Sequence, residues 1–181
     1  MSTKTHLVLD RSQQLTQEIK DLGFPAFHAR QAIQAAYRGR GHLPLQVPGW
    51  PKTLIEKLKD RWCLQGGNLS EQRVSQDGTV KSLIRIEHDY TIESVYIPQS
   101  GQATLCVSSQ VGCHVGCLFC ATGCQPLGRN LTAAEIFSQY YLAQPADHPR
   151  PNRIVFMGMG EPFHNIRAVG RAIQMFCDEQ G

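Results

Sequence analysis

Between residues 12 and 62 the apolar positions recur at helical spacing, from about residue 68 they alternate, and after residue 103 short apolar runs take turns with amphipathic stretches. These changes of period divide the chain into three segments: 1–66, 67–102 and 103–181. In the first segment, Ser12 is placed to cap a helix whose Leu15, Ile19 and Leu22 share one face and which Gly23 ends. Pro25 suits the first turn of a second helix carrying Phe27, Ile33 and Tyr37. Residues 38–51, rich in Gly and Pro, read as a loop, and Pro51 opens a third helix with Leu54, Ile55, Leu58 and Trp62.

The second segment reads as strands. RVSQDGTVKSLIRI places an Asp77-Gly78 turn between two β-rich runs, and TIESVYIP and ATLCVSS follow. In the third, Thr132 with Glu135 three residues on forms a capping box for a helix reaching about Ala143. RIVFM (Arg153 to Met157) is a short run of buried-strand type, and Asn165 is placed to cap a final helix with Ile166, Val169, Ile173 and Phe176. Strand, cysteine loop, helix, strand, glycine loop, helix is the opening of a βα-repeat domain, whose sites lie at the carboxyl ends of the strands. The expected fold is therefore α/β: a small helical domain (1–66), a β-rich connector (67–102) and the first βα units of a larger core (103–181).

Composition narrows the class. Hydrophobic residues make up 41% and charged residues 18%, a globular balance. No apolar run reaches the roughly 18 residues of a membrane span, and MSTKTHLVLD lacks the apolar region of a signal peptide. A reducing, cytoplasmic setting fits a chain rich in thiols. The net charge of +3 is unevenly spread. Residues 1–62 hold ten Lys and Arg against five Asp and Glu, the remainder eight against ten. The basic first part suits a polyanionic partner, although a solvated helical surface has the same balance.

Five of the seven cysteines fall between Cys106 and Cys124. Cys113, Cys117 and Cys120 are separated by three and then two residues and supply three thiolates. A [4Fe–4S] cluster is normally held by four cysteines. Three leave one iron open to an exogenous molecule, and C-x3-C-x2-C is the arrangement with which radical S-adenosylmethionine (SAM) enzymes chelate SAM. Gly112 and Gly116 let the chain wrap a cluster, and Val115, Leu118 and Phe119 are candidates for its apolar cover. Zinc is the rival, with His114 or Cys124 as a fourth ligand. A disulfide framework is disfavoured by the odd cysteine count. In GMGEP (Gly158 to Pro162) the glycines expose backbone groups and Glu161 offers a carboxylate to an ammonium; a tight β–α turn uses the same residues.

CVSSQVGCHVGCLFCATG, then RNLTAAEI (Arg129 to Ile136), then VFMGMGEPFHN (Val155 to Asn165), resembles the radical-SAM adenine-C2 RNA methyltransferases. Residues 21–31 and ESVYIP (Glu93 to Pro98) stand where that family has matching segments, so the resemblance covers nearly the whole chain. It implies a partial, TIM-like radical-SAM barrel and a family reaction on C2 of an adenine in ribosomal RNA or transfer RNA. It implies Cys113, Cys117 and Cys120 as ligands of a [4Fe–4S] cluster, and Gly160 and Glu161 as the SAM-binding pair. Glu93 matches the acceptor of the C2 proton. Cys106 matches the cysteine that releases the RNA by forming a disulfide with a methyl-carrying cysteine. The basic first domain would dock the RNA, and an electron donor is implied.

The chain departs from the family in two places. From Ala103 only 79 residues remain, enough for two or three βα units, whereas a full barrel takes about 200 residues or more. The family's later SAM contacts and its methyl-carrying cysteine are expected beyond Gly181, a position Cys177 does not match, so the chain reads as an N-terminal half: a fragment, a truncated gene product or one part of a split protein whose barrel a second chain would complete. After CATG, Pro126-Leu127 stands where the family has a Gly-aromatic pair, and Cys124 adds a thiol. The rival readings are an RNA-binding remnant without catalysis and a zinc-binding module.

Overall fold

The structure, a computed structural model, describes residues 6–38, 47–64 and 66–177. Residues 39–46 of the expected 38–51 loop lie outside the described residues. Contacts divide the chain into two compact units, one of residues up to Gly66 with those from Gln174 onward, the other Gly67–Ile173.

The first unit contains β1 (His6–Leu7), α1 (Ser12–Asp21), α2 (Phe27–Tyr37), α3 (Lys52–Leu58) and β2 (Trp62–Cys63), with β1 and β2 paired in parallel. Leu15, Ile19, Leu54, Leu58 and Trp62 are wholly buried and form its core. Ser12 is the first residue of α1 and not its cap; Arg11 takes the cap position without a side-chain hydrogen bond. Gly23 follows α1 with φ of 81°. The inner face of α2 is His28, Ala29, Ala32, Ala35 and Ala36, while Phe27 is exposed. Small side chains permit close helix packing, so the alanines and not the aromatics face inward. Trp62, expected on α3, instead ends up in β2, where its indole N–H donates to Glu18 Oε2 at 2.8 Å.

The second unit is a five-stranded sheet in the order β3 (Asn68–Val74), β4 (Val80–Arg85), β5 (Thr91–Gln99), β6 (Gln102–Cys106), β9 (Arg153–Val155). Between β6 and β9 come the short strands β7 (Gln110–Val111) and β8 (Arg129–Asn130) and helix α4 (Ala133–Leu142); α5 (Ile166–Phe176) follows β9. The β3–β4 turn is the expected one: Gly78 has φ of 80° and the Asp77 carboxylate accepts from Thr79 N–H at 3.0 Å. Those hydrogen bonds hold the Asp77 pKa below its usual value. Strands β3 to β5 are antiparallel and β6 pairs with β9 in parallel, so the segment 67–102 is hydrogen-bonded into the same sheet as the βα units.

Alternation divides this sheet into two faces. Val80, Ser82, Ile84, Ile92, Ser94, Tyr96, Ala103 and Leu105 are buried on one. Helix α4 lies there, with the Ser94 hydroxyl donating to Gln139 Oε1 at 2.6 Å. On the other, Lys81, Leu83, Glu93, Val95, Ile97 and Thr104 are half-exposed or exposed. The α4 capping box forms with both arms: Glu135 N–H donates to Thr132 Oγ1 at 3.2 Å and Thr132 N–H to Glu135 Oε2 at 2.9 Å. Strand β9 ends at Val155 and is half-exposed, because it is the edge of the sheet. Asn165 does not cap α5 through its side chain; its amide donates to Ser109 O and Leu131 O, each at 2.8 Å. The buried positions of α5 are Val169, Ala172 and Met175, with Ile166 and Ile173 exposed. Among the described residues no helix is long and apolar enough to cross a membrane.

Candidate functional site

The cysteine loop and the glycine loop leave the carboxyl ends of the neighbouring parallel strands β6 and β9, and the four residues Val107 to Gln110 bind them together. Val107 N–H extends the β6–β9 ladder to Val155 O at 2.9 Å. Ser108 then turns its hydroxyl between two backbones, accepting from Met159 N–H at 2.9 Å and donating to Glu93 O at 2.6 Å. Ser109 N–H donates to Met159 O at 2.8 Å. Gln110, 2% exposed, accepts from Glu161 N–H at 2.8 Å and donates to Asn130 Oδ1 at 2.6 Å. The glycine loop is thus held by the residues that lead into the cysteine loop. Gly160 permits this approach: its φ is 96°, and a Cβ there would lie 2.5 Å from Gln110 Cβ.

From α4, the fully buried Gln139 clamps the Ser108 backbone, accepting from its N–H and donating to its carbonyl, both at 2.8 Å. Sequence reasoning missed Ser108, Gln110, Gln139 and Asn165. The available signal was a polar run, Ser108-Ser109-Gln110, directly after an apolar strand, where buried polar groups must find partners.

The cysteine loop is closed at its base by the β7–β8 pair and by Gly128 N–H donating to Val111 O at 2.7 Å. Gly112, with φ of 76°, packs on the Pro126 carbonyl so closely that a Cβ would collide with it. Beside this base Arg129 grips the buried Glu135 with two hydrogen bonds of 2.7 and 2.6 Å and lies over the Tyr90 ring.

Cys113, Cys117 and Cys120 are half-exposed free thiols on this one loop. Cys120 N–H donates to Cys117 O at 3.0 Å, and Gly123 N–H to Cys120 O at 3.0 Å. Backbone N–H groups of Gly123 and Thr122 also push the Cys120 thiol below its ordinary pKa. Among the described residues no three His, Cys, Asp or Glu side chains converge as a metal-binding group. The donor set nevertheless suits an iron–sulfur cluster: three thiols free of disulfides on a short loop, one of them with its pKa lowered by backbone N–H groups. Val115, Leu118 and Phe119, expected as apolar cover for the cysteines, are instead exposed, Leu118 fully and Phe119 at 93%. In the glycine loop Met157 and Phe163 are exposed as well.

Glu161 is half-exposed and its carboxylate accepts from Phe163 N–H at 3.0 Å. Glu93 is on β5, its carboxylate paired with Lys81 Nζ at 2.6 Å. Cys106 is opposite Val95, which puts it on the same face as Glu93. Burial pushes the Cys106 thiol up, partly offset by Met157 N–H. These opposite shifts give an expected result. At neutral pH iodoacetamide labels Cys120 at least about tenfold faster than Cys106, since thiolate fraction and access both favour it. Cys120 labelling also reaches its plateau at lower pH; peptide mapping after short exposures at several pH values checks both.

No protein-family model matches the chain. Over 176 residues it is 40% identical to the dual-specificity RNA methyltransferase RlmN of Alkalilimnicola ehrlichii, covering 96% of this chain and 49% of that protein. With the RlmN of Caulobacter vibrioides it shares 47% identity over 134 residues, covering 69% of this chain and 33% of that protein. Its structure resembles a radical SAM methyltransferase from Sphaerobacter thermophilus with a TM-score of 0.82 and 37% identity, covering 94% of this chain and 51% of that one. The chain thus spans between a third and about half of the length of these proteins.

Proposed function

We infer that this chain is part of a radical-SAM RNA methyltransferase, of the kind its relatives represent, and that the paired loops at the ends of β6 and β9 are its cofactor site. The observation that carries the reading is the latch of Ser108, Ser109 and Gln110, which holds the SAM-type loop against the base of the three-cysteine loop. Cys113, Cys117 and Cys120 are proposed to hold a [4Fe–4S] cluster. When bound, cluster and SAM supply the reducing electron and the carbon radical that the reaction needs, because C2 of adenine is not nucleophilic enough for polar methyl transfer.

The remaining roles belong to the chain's own residues. The backbone of Gly160 and the carboxylate of Glu161 would bind the amino-acid end of SAM, its ammonium facing the carboxylate. Glu93 would take the C2 proton, which needs a carboxylate within hydrogen-bond reach of the base. Cys106, on the same face, would release the RNA by forming a disulfide with the methyl-carrying cysteine as the carbon–sulfur bond between that cysteine and the RNA breaks, the carbon being reduced to methyl as the two sulfurs are oxidised. The substrate would be an adenine of ribosomal or transfer RNA, docked in part by the basic first unit, in the cytoplasm, with an external electron donor and a second segment or chain completing the barrel.

Anaerobic reconstitution with iron and sulfide, followed by a SAM cleavage assay with a reductant, tests the cofactor reading. A brown protein with about four irons per chain that releases 5′-deoxyadenosine is expected. A colourless protein that takes up zinc and no iron would make it a zinc module, and RNA binding without iron or SAM cleavage would make it a non-catalytic remnant.

A further inference from the structure

We propose that Lys81 and Arg73 form a binding site for an RNA phosphate on the open face of the sheet, and that the arriving phosphate draws Lys81 away from Glu93. The proposal rests on the RNA methyltransferase reading and adds a site to it. Strand register brings the groups together. Leu83 on β4 is opposite Glu93 on β5, and Lys81 is opposite Val95, so Lys81 and Glu93 are diagonal neighbours on one face. Their charged ends meet at 2.6 Å. On β3, Arg73 is opposite Lys81 and pairs with Glu71 at 2.6 Å. Glu71, Arg73, Lys81, Leu83 and Glu93 line a cavity of about 160 Å³.

The charge arrangement favours exchange over permanence. All four charged side chains keep 42% or more of their area exposed, so neither ion pair is shielded from solvent. Exposed pairs of this kind contribute little and part readily. A phosphodiester presents two oxygens, enough to engage Arg73 and Lys81 together, whereas each carboxylate now engages one cation. Once Lys81 turns to the phosphate, Glu93 loses its counter-ion on the face that also carries Cys106. The carboxylate is then released from its ion pair when RNA binds.

Binding of a fluorescein-labelled single-stranded RNA 20-mer to the full chain, followed by anisotropy across a salt series, tests this. Wild type is expected to bind with affinity that falls as salt rises. Lys81→Met and Arg73→Met each weaken binding severalfold and lower the salt slope by about 0.7, the loss of one single-strand phosphate contact. Glu93→Gln has the opposite effect and tightens binding severalfold, because it releases Lys81. Far-UV circular dichroism of each variant checks that the fold is intact. Tight binding by wild type with Lys81→Met and Arg73→Met unchanged would sink the phosphate site and leave the methyltransferase reading standing. Weaker binding by Lys81→Met without tightening by Glu93→Gln would remove the exchange. A wild-type chain that binds no RNA would overturn the RNA reading, and the site with it.

Discussion

Cys120→Ser is expected to lower the iron held after anaerobic reconstitution from about four atoms per chain to fewer than about one, and SAM cleavage to background. The loop offers three thiols at the C-x3-C-x2-C spacing, and a serine hydroxyl does not replace a thiolate at neutral pH. Cys120 is the thiol whose pKa the Gly123 and Thr122 N–H groups lower, and its loss removes one of the three thiolates of the spacing. Cys113→Ser and Cys117→Ser should act alike. Cys124→Ser and Cys177→Ser serve as controls: both residues are exposed and lie outside the spacing, and both variants should keep their iron. Iron and sulfide analysis with the visible absorption spectrum decides it. Iron retained by Cys120→Ser and lost by Cys124→Ser would move the cluster onto a different ligand set.

Much of the fold was legible because local rules acted alone. Asp77-Gly78 supplied a turn residue free to take positive φ, and Thr132 with Glu135 made a capping box whose two hydrogen bonds are local by nature. The misreadings came where tertiary packing overrode such rules. Trp62 continues the apolar period of α3, yet its indole N–H needs an acceptor, and Glu18, 44 residues away, provides one only if the helix has ended at Leu58. Asn165 has the right side chain for a helix cap but satisfies two loop carbonyls instead. The inner face of α2 is made of alanines, because helix proximity and not hydrophobicity chooses that face.

The candidate site divides in the same way. The chemical residues announced themselves by type and spacing: Cys113, Cys117, Cys120, Gly160 and Glu161. The residues that hold them did not. Ser108, Gln110 and Gln139 are common polar residues whose importance comes from being buried with hydrogen bonds made across 15 to 51 residues of sequence. Lys81 and Glu93 look like ordinary alternating strand charges until register sets them diagonally on one face.

Arg129→Met is expected to destabilise the second unit by about 3–5 kcal/mol, the cost of stripping the partner from a buried charge. Glu135 is 3% exposed. Arg129 supplies hydrogen bonds of 2.6 Å to one of its oxygens and 2.7 Å to the other, and Thr132 N–H adds one of 2.9 Å. With methionine at 129 the carboxylate keeps the Thr132 contact alone in a site closed to water. Arg129→Lys retains a cation but gives up the bidentate geometry, so its loss should be smaller. Pairing Arg129→Met with Glu135→Leu should recover most of the stability, less about 1 kcal/mol for the broken capping box. The damage should also reach the cysteines. Arg129 is in β8, which pairs with β7 and closes the base of their loop, so Arg129→Met should bind less iron while the first unit stays folded. Amide hydrogen exchange resolves the two units separately. Protection lost around Leu131 and α4, and kept at Leu15 and Leu54, is the expected pattern; a loss below about 1 kcal/mol would mean that Glu135 finds solvent or another donor when Arg129 is gone.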